Sequence, residues 1–307
     1  MPARTPGKRG RLAARRLAMP FVASYIAQPI PAASYPVDVS GGITAFGMLG
    51  NGPDPACTTY PDGVGDCTFA GRQHYRMAKA AAYHETETWE TSNALVAEYL
   101  AYDHGQDEGA VISDLLMAWY KAGVILAFAP VDHTSPAAVD AAMQAFHGVY
   151  AGVNLTDDAD QLFSEGQPWT VANGEQADPN DGHCIVKVRA DGHTLDGWVT
   201  WGAIQPSTLA WTSTCLQEAW VIITPEDAEA HGVDIAALRA DIEALGGTGG
   251  APEPTPVPAP DPKPPAPSPV PVPATLLKEA AAFIRSLAAS AERDASAALR
   301  WLSSHGL

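Results

Sequence analysis

A chain of 307 residues, 46% hydrophobic and 17% charged, has apolar material for a substantial core and length for segments beyond it. The formal net charge of −17 is unevenly spread: residues 1–16 hold six basic residues (Arg4, Lys8, Arg9, Arg11, Arg15, Arg16) and no acid, which leaves 12 Lys and Arg against all 35 acidic residues. Such a balance excludes nucleic acid as the main partner, because phosphate binding needs clustered Lys and Arg. Four cysteines, Cys57, Cys67, Cys184 and Cys215, are too few for a disulfide framework in a chain this long.

The first segment, residues 1–34, reads as a basic, largely disordered solubilising tail. Its stretch ARRLAMPFVASYIAQPIPAAS has the layout of a targeting signal, yet Ser24, Gln28 and three prolines break the apolar run. Elsewhere no stretch approaches the ~18 continuous apolar residues of a membrane span. Residues 35–245 have mixed character. Thr68 to Tyr83 reads as a helix, TSNALVAEYLAYDHG as a second helix capped by Thr91 or Ser92, and AVISDLLMAWYKAG as a third ended by Gly123. A strand LAFAPVDH follows, then a helix with Ser135 as its cap and Pro136 in its first turn. GVYAGVNL is a strand, and HCIVKVRADGHTLDGWVTWG a hairpin around an Asp191-Gly192 turn. EAWVIIT is a further strand, and a helix from Pro225 runs towards Leu245. Helices lead and strands follow, which is an α+β pattern rather than a parallel doubly wound one. Residues 246–274 are a Gly/Pro-rich linker, and 275–305 an Ala-rich amphipathic helix capped by Thr275 and Gly306.

The chemistry concentrates on Cys67. A thiol nucleophile wants a lowered pKa, and a helix N-terminus and a nearby imidazole both supply that. Gly65-Asp66 places Cys67 at a helix start, where backbone N–H groups also form an oxyanion site. Of the nine histidines, His74 lies two turns down the same helix, about 10 Å away and out of direct reach. His183 instead opens a strand after the polar ADPNDG. A two-residue turn at 191–192 would set Thr200 directly opposite His183 on one face, where its hydroxyl can orient the ring or remain an ordinary strand side chain. Trp198 and Trp201 offer apolar cleft walls beside Gly65, Asp66 and Gly182. Cys184 and Cys215 read as core residues, and Cys57 as more exposed. Neither a metal-ligand spacing nor a phosphate-binding loop is present, so no cofactor is expected.

GDCTFAG at 65–71, DGH at 181–183 and VTWG at 199–202 occur in this order and resemble the papain-like cysteine peptidases. With GMLGN at 47–51 and EAWVI at 218–222, the set is most similar to papain-like domain proteins of actinobacteria and their phages, over about residues 43–225. The resemblance implies a papain-like α+β fold with a helical half carrying the nucleophile and an antiparallel β half. It implies catalysis by Cys67 and His183, with Asn51 in the oxyanion role and Thr200 orienting the imidazole. Two departures stand out. Asn51 is sixteen residues before Cys67, behind an apparent insertion GPDPACTTYPDGV, and the family's orienting Asn falls on Val199.

Two functions follow. One is a thiol hydrolase acting on a peptide, such as a cell-wall peptide. The other is a catalytically weak or silent binding module, as in a phage virion or at a cell surface, that docks on a protein partner or on itself through helix 275–305. The expected location is cytoplasmic or virion-associated rather than classically secreted.

Overall fold

The computed structural model describes residues 4–86, 88–171 and 175–246. The linker beyond Gly246 and the helix expected at 275–305 lie outside the described residues.

The fold is α+β, with a helical first half and an antiparallel sheet. A short strand β1 (Val37–Asp38) precedes α1 (Cys67–Tyr83), α2 (Ser92–Tyr102) and α3 (Ile112–Lys121). Then come β2 (Ala127–Val131), α4 (Pro136–Phe146), β3 (Val149–Asn154) and α5 (Ala159–Glu165). The second half carries β4 (Gly182–Ala190), β5 (Leu195–Thr200), β6 (Ala203–Thr208), α6 (Leu209–Cys215) and β7 (Leu216–Ile223), then α7 (Pro225–His231) and α8 (Ile235–Gly246). The sheet runs β2-β7-β3-β4-β5-β6, with β1 paired on β4. Every neighbouring pair is antiparallel.

Sequence logic places most of these elements. Thr91 caps α2 by accepting from the Ala94 amide, and Ser135 caps α4 from Ala138, each satisfying an otherwise orphaned N–H. The single helix expected from Pro225 is two, because Gly232 adopts a left-handed conformation (φ 56°) that ends α7. The strand β6, which the sequence reading did not anticipate, continues from β5 through a tight hairpin. Thr200 pairs with Ala203, so Trp201 (φ 44°) and Gly202 (φ 76°) are the two central residues of a turn with both φ positive.

The β4–β5 pairing corrects the expected register. Asp191 accepts hydrogen bonds from the amides of His193, Thr194 and Leu195, so the connection is four residues rather than two. Val186 therefore pairs with Val199 and Lys187 with Trp198, and an irregularity follows between Lys187 and Arg189. Thr200 is not opposite His183. The shift is by two residues, however, which preserves face parity and leaves Thr200 diagonal to His183 on the same side.

Helix α1 is the element that positions the site, and it is pinned along its length. At its start the Tyr150 hydroxyl of β3 donates to Thr68 O at 2.6 Å. At Gly71 the packing is close: a Cβ would sit 3.1 Å from Cys184 Sγ and from the Tyr150 ring, so either neighbour would have to shift by a few tenths of an ångström. Towards its end, buried Lys79 donates to Ile222 O at 2.8 Å and pairs with Asp227, which also accepts from Tyr83 at 2.9 Å and closes a capping box with Thr224 on α7.

A buried cation without its carboxylate is strongly destabilising. Asp227→Ala should cost about 3–5 kcal/mol in urea unfolding, whereas Lys79→Met combined with Asp227→Leu should recover most of that loss. A cost below about 1 kcal/mol for Asp227→Ala would show that the pair does not tie α1 to α7.

Candidate active site

Cys67 is the first residue of α1 and is 1% exposed. The backbone of Cys184, the residue after His183, and that of Gly10 lie close enough to favour its ionised form. His183, on β4, is also 1% exposed. Its Nε2 is 2.8 Å from Thr200 Oγ1, its ring stacks on Trp201 with centroids 4.9 Å apart, and its Nδ1 has no hydrogen-bond partner. Thr200 thus makes the side-chain contact that Val199, buried and paired with Val186, cannot.

Asn51 is brought to the site despite the insertion. The loop after it folds back on itself, with the Val64 amide donating to Gly50 O at 2.9 Å. Asp54 anchors that loop to α2 by accepting from Ser92. Cys57 within it is fully buried, contrary to the exposure expected from composition, because it packs into the core beneath α2. The Asn51 amide donates to Val64 O at 3.3 Å and to Lys8 O at 3.0 Å.

Gly65 is held by Asp107 Oδ1, which accepts its amide at 2.7 Å and the Tyr99 hydroxyl at 2.9 Å. Asp66 occupies the N-cap position of α1 without a side-chain cap bond. Burial pushes its carboxyl well above the usual carboxylate range, with the Asn51 side chain acting in the opposite direction. Of the two tryptophans expected as cleft walls, Trp201 lies against the His183 ring and Trp198 does not. Trp198 is fully buried at the far end of a run of rings through Trp169 and Trp211, and it donates to Ser207 at 2.8 Å. His74 Nε2 donates to Gly47 O at 3.0 Å, and its ring packs on Phe46.

The groove over Cys67 is filled by the chain itself. Residues 4–16, expected as a disordered tail, lie along it as an extended strap. Lys8 N donates to Asn51 O at 2.9 Å, Arg11 N to Gly182 O at 3.3 Å and Leu12 N to Ala110 O at 2.9 Å, while Ala110 N donates to Gly10 O at 2.7 Å. Glycine is required at Gly10: a Cβ there would sit 1.5 Å from Gly65 O. Three of the six basic residues meet acids of the body. Arg9 pairs with Asp181 and Asp160 and lies over the Trp201 ring at 4.9 Å, Arg11 faces Glu218, and Arg15 meets Asp114. Two surface hollows, one beside His133 and Gln217 and one between Arg76 and Pro225, lie away from Cys67.

This cover sets the protonation states. Burial pushes the Cys67 thiol up to about 12, against the opposing pull of the Cys184 and Gly10 backbone and of Arg11. The lowered thiol pKa expected from the helix N-terminus is therefore not found in the covered site, since desolvation outweighs a dipole. Burial also holds His183 well below its ordinary value, and Arg9, Arg11 and His74 add to the effect. The covered site is a neutral thiol and a neutral imidazole.

Sequence reasoning missed Arg9, Arg11, Asp107 and Glu218. One signal was available for the last of these, a lone carboxylate in the apolar run EAWVIIT.

No protein-family model matches the chain, and no curated protein matches it. Among solved structures it is similar to xylellain, a cysteine protease from Xylella fastidiosa, with a TM-score of 0.51 and 11% identity over 73% of this chain and 98% of that one. At that identity the likeness is one of fold, and it supports a papain-like architecture. Among the described residues no helix is long and apolar enough to cross a membrane.

A histidine held neutral in the fold stabilises above its unfolded pKa and loses that contribution as pH falls below about 6.5, at roughly 1.4 kcal/mol per pH unit. Between pH 7 and pH 5 the loss of urea stability should therefore be about 2 kcal/mol smaller in His183→Gln than in the parent. An identical pH dependence in the two proteins would show that His183 is not buried neutral.

Proposed function

We propose that the protein is a thiol-dependent hydrolase of peptide bonds, working through Cys67 and His183. The observation that carries the reading is a histidine held by Thr200 at Nε2 with its Nδ1 unengaged, on the strand whose next residue, Cys184, lies beside the cysteine at the start of α1. A protein with a cysteine-protease fold is its structural neighbour.

The reaction follows from these groups. With Nε2–H donating to Thr200 Oγ1, the lone pair of Nδ1 accepts the Cys67 proton as sulfur attacks the carbonyl carbon. The carbonyl electrons move to oxygen, where the Cys67 backbone N–H and the Asn51 amide supply donors. Collapse of the tetrahedral species breaks the C–N bond, and His183 passes its proton to the leaving amine. Water then attacks the thioester, His183 takes its proton, and the acid leaves as the thiol reforms. Asn51 now donates to Lys8 O, so the strap has to withdraw from the groove before a substrate carbonyl can take its place.

A second reading rests on the same cover. A site with its thiol raised and its groove filled is also what a silent binding domain would have, and the motif resemblance to phage or actinobacterial domain proteins would suit either reading.

One variant separates them. Gly10→Leu cannot keep the strap against Gly65 and so opens the groove. In that background, iodoacetamide should alkylate Cys67 with a rate that persists below pH 7 and disappears in His183→Ala, and a fluorescence-quenched peptide library should be cleaved. Thr200→Val should lower cleavage by roughly 10- to 100-fold. Alkylation that rises only above pH ~8.5, equally with and without His183, would overturn the hydrolase reading.

A further inference from the structure

The side chain of Arg11 is 1% exposed, and the pocket that receives it belongs to the sheet. Glu218 of β7 presents Oε1 at 3.7 Å from Arg11 Nε, and Asn154 of β3 accepts from Nη2 at 3.3 Å. Gly152 makes the space, since a Cβ there would lie 2.6 Å from Arg11 Nε and 2.7 Å from Glu218. Glu218 is otherwise fixed by Trp220, whose Nε1 donates to its second oxygen at 2.9 Å. An unpaired carboxylate in this position is costly, and burial pushes Glu218 above the ordinary carboxyl range with Arg11 as the main opposing influence. A carboxylate held rigidly at the base of a glycine-floored pocket is chemically suited to a guanidinium.

The resident arginine does not use the pocket fully. Arg11 Nε and Glu218 Oε1 face each other, both buried and both without a hydrogen bond. The strap backbone, pinned between Gly182, Ala110 and Gly65, holds the guanidinium short of contact. A free peptide lacks that constraint and can bring an arginine within bonding distance of the carboxylate.

We propose that the Glu218–Asn154–Gly152 pocket is the specificity subsite of the groove, that it takes the arginine side chain of a peptide substrate, and that Arg11 fills it in cis. This deepens the hydrolase reading and rests on it. The backbone next to the pocket adds a second preference. Gly10 passes Gly65 with no space for a side chain, so the favoured peptides carry glycine beside arginine.

The test reads binding rather than hydrolysis, so its outcome is separate from that of the catalytic reading. In the full-length Arg11→Ala chain, Cys67 alkylation by iodoacetamide at pH 8.5 should be at least 10-fold faster than in the parent. A capped peptide with the sequence GKRGRLA should restore protection, and the same peptide with norleucine in place of its second arginine should not. In Arg11→Ala combined with Glu218→Gln the two peptides should protect equally. Equal protection by both peptides in Arg11→Ala, or undiminished discrimination after Glu218→Gln, would overturn the proposal. Glu218→Gln alone, in a chain that retains Arg11, should loosen the strap and speed alkylation at least threefold, and an unchanged rate would count against the pocket.

Discussion

The candidate site depends on one close approach, the backbone of Gly10 lying against that of Gly65, two residues before Cys67. At a separation that excludes even a methyl group, no water remains between strap and helix start. The state of the site follows from this. The Cys67 thiol is desolvated and stays protonated, His183 is walled in beneath Trp201 and stays neutral, and the Asn51 amide is taken up by the Lys8 carbonyl. Each group that the proposed hydrolysis would use is covered by the same few residues of chain.

The charge distribution has the same origin. A basic segment and an acidic body look, by composition, like a soluble domain with a solvated tail. In the folded chain they are complementary partners. Arg9 bridges Asp181 and Asp160, and Arg11 reaches Glu218 at the sheet. Exposed pairs of this kind stabilise little, but the Arg11–Glu218 pair is buried, and removing either member would leave a charge in the interior. Among the side chains of the strap, Arg11 is the buried anchor, while its backbone is held by hydrogen bonds to Asn51, Gly182 and Ala110.

Much of this arrangement was legible in the sequence, and the failures have physical causes. Helices α1 to α4, most of the strands and the α+β layout followed from periodicity and caps such as Thr91 and Ser135, because those signals are local, whereas α5, α6, β6 and the order of strands in the sheet did not. The Cys67 and His183 placements followed from GDC and DGH at the starts of a helix and a strand. The register of β4 and β5 did not, because Asp191 builds a longer turn by collecting three amides. Thr200 still reaches His183, since a shift of two residues keeps its face. The strap was illegible for a different reason. Its bonds run to Asn51, Ala110 and Gly182, partners 43 to 171 residues away, and nothing in GKRGR alone names them. Trp198 was misplaced because a tryptophan near a site and one behind it carry the same letter.

The central claim is that residues 7–12 lie in the groove, hydrogen-bonded to both of its sides. Hydrogen–deuterium exchange of the full-length chain, followed by fragmentation to single amides, measures this directly. The amides of Lys8, Arg11 and Leu12 donate to Asn51, Gly182 and Ala110, so they should exchange at least 100-fold more slowly than in a free peptide of the same sequence. Exchange of all three at the free-peptide rate would contradict the account.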